Sequence, residues 1–367
     1  MLTRPMLSKL FTLCLTVLCL ALTLAPLRGE AAGKTRVLLD SDMVEMFDDG
    51  VAMLLLLQSP QIELMGVTIV TGNTWTEDGA ANAIRQLEGL GRSDIPVVIG
   101  TTPERIKARF ANIKEEYRRF GRGHDVAYAG AADFPEPSSW QAAYRARFAA
   151  EPTLAPVEED AADFIIRTVR ENPGEITIAA IGPATNLAAA IEKDPGIVLL
   201  IDRVVYMSGA FFQQGNTTPA AEFNVWVDPG SLKKVVRAPF REQIFFPLDV
   251  CEKMTLSADD FYAFKEATDE PVFQDMMNRH YLNGLFASGS DRSFIWDVLV
   301  AAYLLDPSII TEESVLPIDV NDTYSLSYGQ TLAYVGYGPE GSQSARLVTN
   351  VDQKRVLAMI RQVFDDI

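Results

Sequence analysis

The chain has 367 residues, 48% hydrophobic and 22% charged, with a net charge of −17. That balance excludes a disordered or low-complexity chain and is ample for one large or two medium domains. So acidic a chain argues against nucleic-acid phosphates as partners.

Arg4 and Lys9 precede an apolar run over residues 10–24, and small residues follow at Gly29, Ala31 and Ala32. The layout predicts a secretory signal peptide over residues 1–32, with no stable membrane span once it is removed. Cys14 and Cys19 lie inside the run, so only Cys251 remains and no internal disulfide is expected. Residues 33–367 then read as a single periplasmic or secreted domain. Homo-oligomerisation is allowed but not specified.

The mature chain is organised around residues 36–57. Val37, Leu38 and Leu39 read as a buried strand, and residues 51–57 as a buried helix. Between them sit Asp40, Asp42, Glu45, Asp48 and Asp49. Crowded carboxylates repel one another unless protons or a cation neutralise them, and oxygen donors suit Ca²⁺ or Mg²⁺. The plainer alternative is that Asp48 or Asp49 only caps the following helix.

Residues 62–70 predict a second strand, which ends at Gly72-Asn73. A helix is expected over 77–90 and a third strand over 95–99. Residues 101–156 mix basic, aromatic and proline positions and predict a helical insertion, either a lid or a surface excursion. An amphipathic helix over 157–170 and a strand over 176–181 follow. The segment Gly182-Pro183-Ala184-Thr185-Asn186 then turns into a helix over 187–191. Strands are expected over 204–207 and 244–247, mostly helix over 255–306, a small β element over 317–349 and a last helix over 351–364. Strands alternating with helices predict an α/β fold: an open, mostly parallel sheet with helices on both faces.

Three more constellations recur at strand ends or helix starts. They are Gly182-Pro183-Ala184-Thr185-Asn186, Asn216 with Glu222-Phe223-Asn224, and Trp296-Asp297. Taken singly, Asn186 and Asp297 could be helix caps. Their order, with the opening Asp40-Ser41-Asp42-Met43-Val44-Glu45-Met46-Phe47-Asp48-Asp49, resembles the inosine-uridine-preferring nucleoside hydrolase family over nearly all of the mature chain.

The resemblance implies a set of roles. Asp42, Asp49 and Asp297 look like carboxylate ligands of Ca²⁺, with the Thr185 backbone carbonyl as a fourth. Asp42 would also be the general base for a metal-bound water. Asp40 would support the cluster, and Asp48 would grip a ribose hydroxyl. Asn73, Glu222 and Asn224 look like further ribose contacts, with Met207 and Asn216 lining the same sugar pocket. The substrate would be a ribonucleoside, cleaved to base and ribose.

Two departures stand out. Val44 replaces the glycine usual in the first loop, and Trp296 stands where many members carry His. Indole is no general acid, so Trp296 either stacks on a purine or packs the core. Phe211, Phe212, Trp226, Trp75 and Tyr281 are further candidates for a base-facing wall, while Phe223 and Trp226 are expected to pack the fold. His124 and His280 are expected at the surface. The departures keep a second reading open, a nucleoside-binding or sensory protein without turnover. A phosphatase using Asp40-Ser41-Asp42 leaves Glu222, Asn224 and Asp297 unused.

Overall fold

The computed structural model describes residues 33–44, 46, 48–121 and 128–367. The expected signal peptide, Glu45, Phe47 and His124 lie outside the described residues. Residues Thr35–Ile367 form one compact unit. Among the described residues no helix is long and apolar enough to cross a membrane.

The first half runs β1 (Thr35–Ser41), α1 (Asp49–Gln58), β2 (Ile62–Ile69), α2 (Thr76–Gly89) and β3 (Val97–Ile99). The insertion follows as α3 (Glu104–Ala111), α4 (Ile113–Phe120), a 3-10 turn (Gly130–Asp133) and α5 (Trp140–Phe148). Then come α6 (Ala161–Glu171), β4 (Ile176–Ala180), α7 (Thr185–Lys193), β5 (Ile201–Met207), α8 (Phe223–Val227), α9 (Pro229–Val236) and β6 (Gln243–Phe246). The helical region holds α10 (Leu248–Cys251), α11 (Ala258–Ala267), α12 (Pro271–Arg279), α13 (Tyr281–Ala287) and α14 (Val298–Leu305). Within it β7 (Thr255–Ser257) pairs with β8 (Arg292–Phe294). The chain closes with β9 (Ile310–Val320), β10 (Thr331–Ala333), β11 (Gln343–Val351) and α15 (Gln353–Asp365).

Nine strands form one sheet in the order β10-β9-β11-β6-β5-β4-β1-β2-β3. From β3 to β6 and on to β11 every pairing is parallel. The C-terminal strands, expected as a small β element, extend this sheet, with β9 antiparallel to both β10 and β11. Val348 and Leu347 on β11 are fully buried, and that apolar edge needs cover.

The sequence order reverses between β1 and β4, because the chain first builds β2 and β3 on one side and then returns to the other. Open α/β sheets place ligands at the C-terminal strand ends beside such a switch point. Two apolar clusters cover the faces of the sheet, one built on α1 and α14, the other on α6, α7 and α9. In α1 residues 51–56 are all at most 1% exposed, and in α14 residues 298–303 at most 2%. These helices are apolar all round because they pack on each other and both pack on the last helix as well. Each large side chain so buried contributes about 2 kcal/mol. Both start at the switch point, so the acids preceding them are carried to one place by hydrophobic packing.

Candidate active site

Asp40 and Asp42 lie at the end of β1, and both are fully buried. Asp40 Oδ1 accepts from Thr68 Oγ1 (2.6 Å) and from Asn186 Nδ2 (2.8 Å). Asn186 is therefore not a cap of α7 but a strut under Asp40. Asp42 Oδ2 accepts from the Asn73 backbone N–H (2.5 Å). This approach requires Gly72, since a Cβ there would collide with the Asp42 carboxylate. Asp49, the first residue of α1, accepts from Ser41 Oγ (2.5 Å).

Asp48 does not cap its own helix. Its Oδ1 accepts from the backbone N–H groups of Trp296 (2.9 Å) and Asp297 (2.6 Å), fastening the first loop to the start of α14. It does so with φ at 105°, a region L-residues rarely adopt. Val44, which stands in place of a glycine, is not left-handed; among described non-glycine residues only Asp48 and Ala149 are. Asp297 caps nothing with its side chain. It shares an electrostatic field with Asp48, Asp49, Asp42 and Glu222.

Burial dominates the protonation of this cluster. It raises Asp40 and Asp49 to about 6, and Asp48 and Glu222 to about 7. Asp42 and Asp297 are pushed well above the usual carboxylate range, first by desolvation and then by neighbouring carboxylates. The starts of α1 and α14 partly offset this, because helix N-termini favour negative charge.

Opposite the acids, α8 is short and capped by Glu222, which accepts from the backbone N–H groups of Gly209, Asn224 and Val225. Asn224 donates to the carbonyls of Ile181 (2.9 Å) and Met207 (3.0 Å), so its oxygen is left as the group on offer. Asn216 Oδ1 accepts from the Phe223 N–H (2.9 Å). Asp48, Asn73, Met207, Asn216, Glu222, Asn224, Trp296 and Asp297 all line one cavity of about 140 Å³. Asp42 and Asp49 stand behind that lining, joined to it through Asn73.

Thr185 begins α7, its side chain at a second cleft with Arg105 and its hydroxyl donating to Asp228 (2.8 Å). From the same segment Ile181, whose N–H donates to the Asp40 carbonyl (2.9 Å), lines the first cavity. Trp75 and Trp226 are not a base wall: both are buried, with Phe110 packed between them. Phe211 packs on Phe245 instead. His280 is buried rather than at the surface, and its Nδ1 caps α13 by accepting from Leu282. Trp296 is half-buried, lines the cavity and touches Phe294. Tyr117 on α4, Tyr128, Thr217 and Phe223 also line the cavity; Tyr128 was unforeseen because it belongs to no periodic element.

Among the described residues no three Asp, Glu, His or Cys side chains form a ready coordination shell by themselves. The donors do fit a hard cation completed by carbonyl, water or hydroxyl oxygens. Asp40 Oδ2, Asp42 Oδ1, Asp49 Oδ2 and Asn224 Oδ1 are buried without a hydrogen-bond partner among the described residues. Four orphaned acceptors so close together are costly unless something positive meets them.

The family model for inosine-uridine preferring nucleoside hydrolase matches residues 37–358. An uncharacterised Schizosaccharomyces pombe protein is 31% identical over 300 residues, spanning 81% of this chain and 88% of its own length. Uridine nucleosidase 1 of Arabidopsis thaliana is 32% identical over 63% of this chain and 62% of its own. The pyrimidine-specific ribonucleoside hydrolase RihA of Escherichia coli is 28% identical over 87% of this chain and 94% of its own. Among solved structures, a plant nucleoside hydrolase superposes with a TM-score of 0.73 at 24% identity, covering 90% of this chain and 99% of its own. A purine-preferring ribonucleoside hydrolase from Gardnerella vaginalis superposes with a TM-score of 0.69 at 22% identity, covering 90% and 100%. With this match over most of its length, and the acid cluster at the switch point, the chain belongs to the inosine-uridine preferring nucleoside hydrolase family of N-ribosyl hydrolases.

Proposed function

We propose that the chain cleaves the N-glycosidic bond of ribonucleosides with Ca²⁺ held in the acid cluster, water as nucleophile and Asp42 as general base. The observation that carries this is the set of orphaned buried oxygens on Asp42, Asp49 and Asn224, beside a cavity walled by hydroxyl-binding groups. Asp42, Asp49 and Asp297 would hold the ion, with the carbonyl of Thr185 or of Ile181, which lines the cavity. Bound there, Ca²⁺ supplies positive charge that lowers the pKa of a water and gathers sugar hydroxyls.

The chain's own residues do the rest. Asp42 Oδ2 is fixed by the Asn73 N–H, so Oδ1 is the free acceptor for the water's proton. The water oxygen joins C1′ of the ribose, the C1′–N bond breaks, and its electron pair leaves with the base. Positive charge on the sugar ring in that transition state is favoured by the acids around it. Asp48, Asn73, Glu222 and Asn224 hold the hydroxyls and fix the sugar against the attacking side. The cavity is smaller than the ~300–1,000 Å³ that engulfs a drug-sized ligand. It suits the sugar, with the base at the mouth against Trp296.

Trp296 supports purines over pyrimidines, because a larger ring system stacks over more area. Similar proteins named above include a pyrimidine-specific and a purine-preferring enzyme, so the choice rests on this side chain. Export to the periplasm is proposed from residues 1–32 alone, and the N-terminal sequence of the secreted protein, expected near residue 33, tests it. The function is tested by incubating the mature protein with a nucleoside panel and Ca²⁺, then measuring free base and reducing sugar. Release establishes the enzyme; tight binding without release overturns it in favour of a binding protein. A stoichiometric transition metal in protein purified without chelator overturns the ion.

A further inference from the structure

We infer that Tyr128, carried by the insertion between β3 and α6, is a positioning residue that sets the side-chain amide of Asn73 for the ribose. The inference rests on the reading of the cavity as a ribose site. The Tyr128 hydroxyl donates to Asn73 Oδ1 (2.8 Å). An amide whose oxygen is occupied can offer only its NH₂ to a ligand. Asn73 is thereby committed as a donor to a sugar oxygen, while its backbone N–H stays on Asp42 Oδ2. One residue ties the general base to a substrate contact, and Tyr128 decides which way that contact faces.

The segment around Tyr128 is docked where this requires. The Ala131 N–H donates to the Gly72 carbonyl (2.9 Å), and Trp75 Nε1 donates to the Phe134 carbonyl (2.9 Å). Gly130, at φ 55°, lies so close to Gly72 and the Phe223 ring that a Cβ would strike both. The Tyr128 ring leans on Phe223, 5.5 Å between centroids, on the helix that carries Asn224. The ring is half exposed, but desolvation on its cavity side, then the charges of Asp42 and Asp49, keep the phenol protonated, so it remains a donor. The insertion is thus a fixed wall of the cavity at this point and not only a surface excursion.

The test compares wild type, Tyr128→Phe, Asn73→Ala and the double variant on a ribonucleoside and its 2′-, 3′- and 5′-deoxy analogues, with melting temperatures to confirm folding. Losing one oriented hydrogen bond should raise KM about tenfold with a smaller fall in kcat. It should also shrink the preference for the ribonucleoside over one deoxy analogue, the one lacking the hydroxyl that Asn73 meets. In the Asn73→Ala background, Tyr128→Phe should change nothing further. Additive effects, or unchanged discrimination in a well-folded Tyr128→Phe, would overturn the inference while leaving the hydrolase reading intact. A wild type that cleaves no ribonucleoside overturns both. Gly130→Ala, which must displace the docked turn, should reproduce the altered discrimination; if it does not, the docking is irrelevant to Asn73 and the inference fails.

Discussion

The first loop and the insertion meet at the same cavity but are held there by opposite means. The acids of the loop are placed by the backbone: a strand end, two apolar helices and a chain reversal bring Asp42, Asp49 and Asp297 together before any side chain chooses a partner. The insertion has little sheet to lean on, and side chains fasten it. Arg109 donates to Glu116 (2.6 Å) and to the carbonyls of Trp226 (2.7 Å) and Val227 (2.9 Å), and lies over the Trp226 ring. Glu116 in turn accepts from Trp226 Nε1 (2.8 Å). Chemistry is thus built on the rigid frame, and substrate shape is added by a tethered wall.

If that division is right, the largest effect comes from the frame's reacting group. Asp42→Asn should lower kcat by about 10³-fold with a melting temperature near or above that of wild type. The stability follows because a buried, disfavoured carboxylate is removed. A nitrophenyl riboside assay reads the rate, and unchanged turnover would remove Asp42 as the base.

The tether should break differently. Arg109→Met leaves Glu116 buried without its partner and should cost about 3 kcal/mol of stability. The two side chains are only 11% and 6% exposed, so solvent screens them little. Chemical denaturation measures the loss. We expect KM to rise and kcat to hold, as α8 and its Asn224 loosen while Asp42 stays in place. A loss of kcat at constant KM would show that the insertion reaches the frame after all.

Proton linkage comes next. Carboxyls raised to about 6 and 7 bind more protons folded than unfolded. Stability of the chelated protein therefore falls as pH rises from about 4 to above 7. Between about pH 5 and about pH 8 the loss should be about 2 kcal/mol or more at 1.4 kcal/mol per pKa unit. Calcium should oppose it, because the ion replaces the protons. Thermal melts with and without chelator check this; a chelated protein equally stable at both pH values would dissolve the cluster's claim to need a cation.

The same division explains what could be read from the sequence. The order of strands and helices, the parallel sheet and the acids were legible because burial imposes periodicity and because helices start where strands end. Boundaries shifted by a few residues, as with the strand seen at residues 97–99 instead of 95–99. The joining of β11 to β6 was not legible, since pairing partners leave no local mark. Nor were Tyr128, which lies outside any described helix or strand, and Tyr117, because the period of α4 does not say what that helix faces. Trp75 and Trp226 failed as wall candidates for the reverse reason. Their spacing suits either a core or a site, and only the three-dimensional packing on Phe110 decides.

The smallest expected effect concerns Trp296, which belongs to the frame by sequence and to the wall by position. Its backbone N–H is held by Asp48, so substitution should leave that anchor intact. Its ring lines the cavity beside Asp297, and removing it strips apolar surface from where the base would lie. Trp296→Ala should therefore cut kcat/KM for inosine about fivefold, matching about 1 kcal/mol of stacking, and cut it less for uridine, whose ring is smaller. Paired rate measurements on the two nucleosides check the ratio. A larger loss on uridine would mean that the indole aids departure of the base by something other than stacking area. Equal losses would mean that Trp296 shapes the sugar cup and leaves base choice to the tyrosines of the insertion.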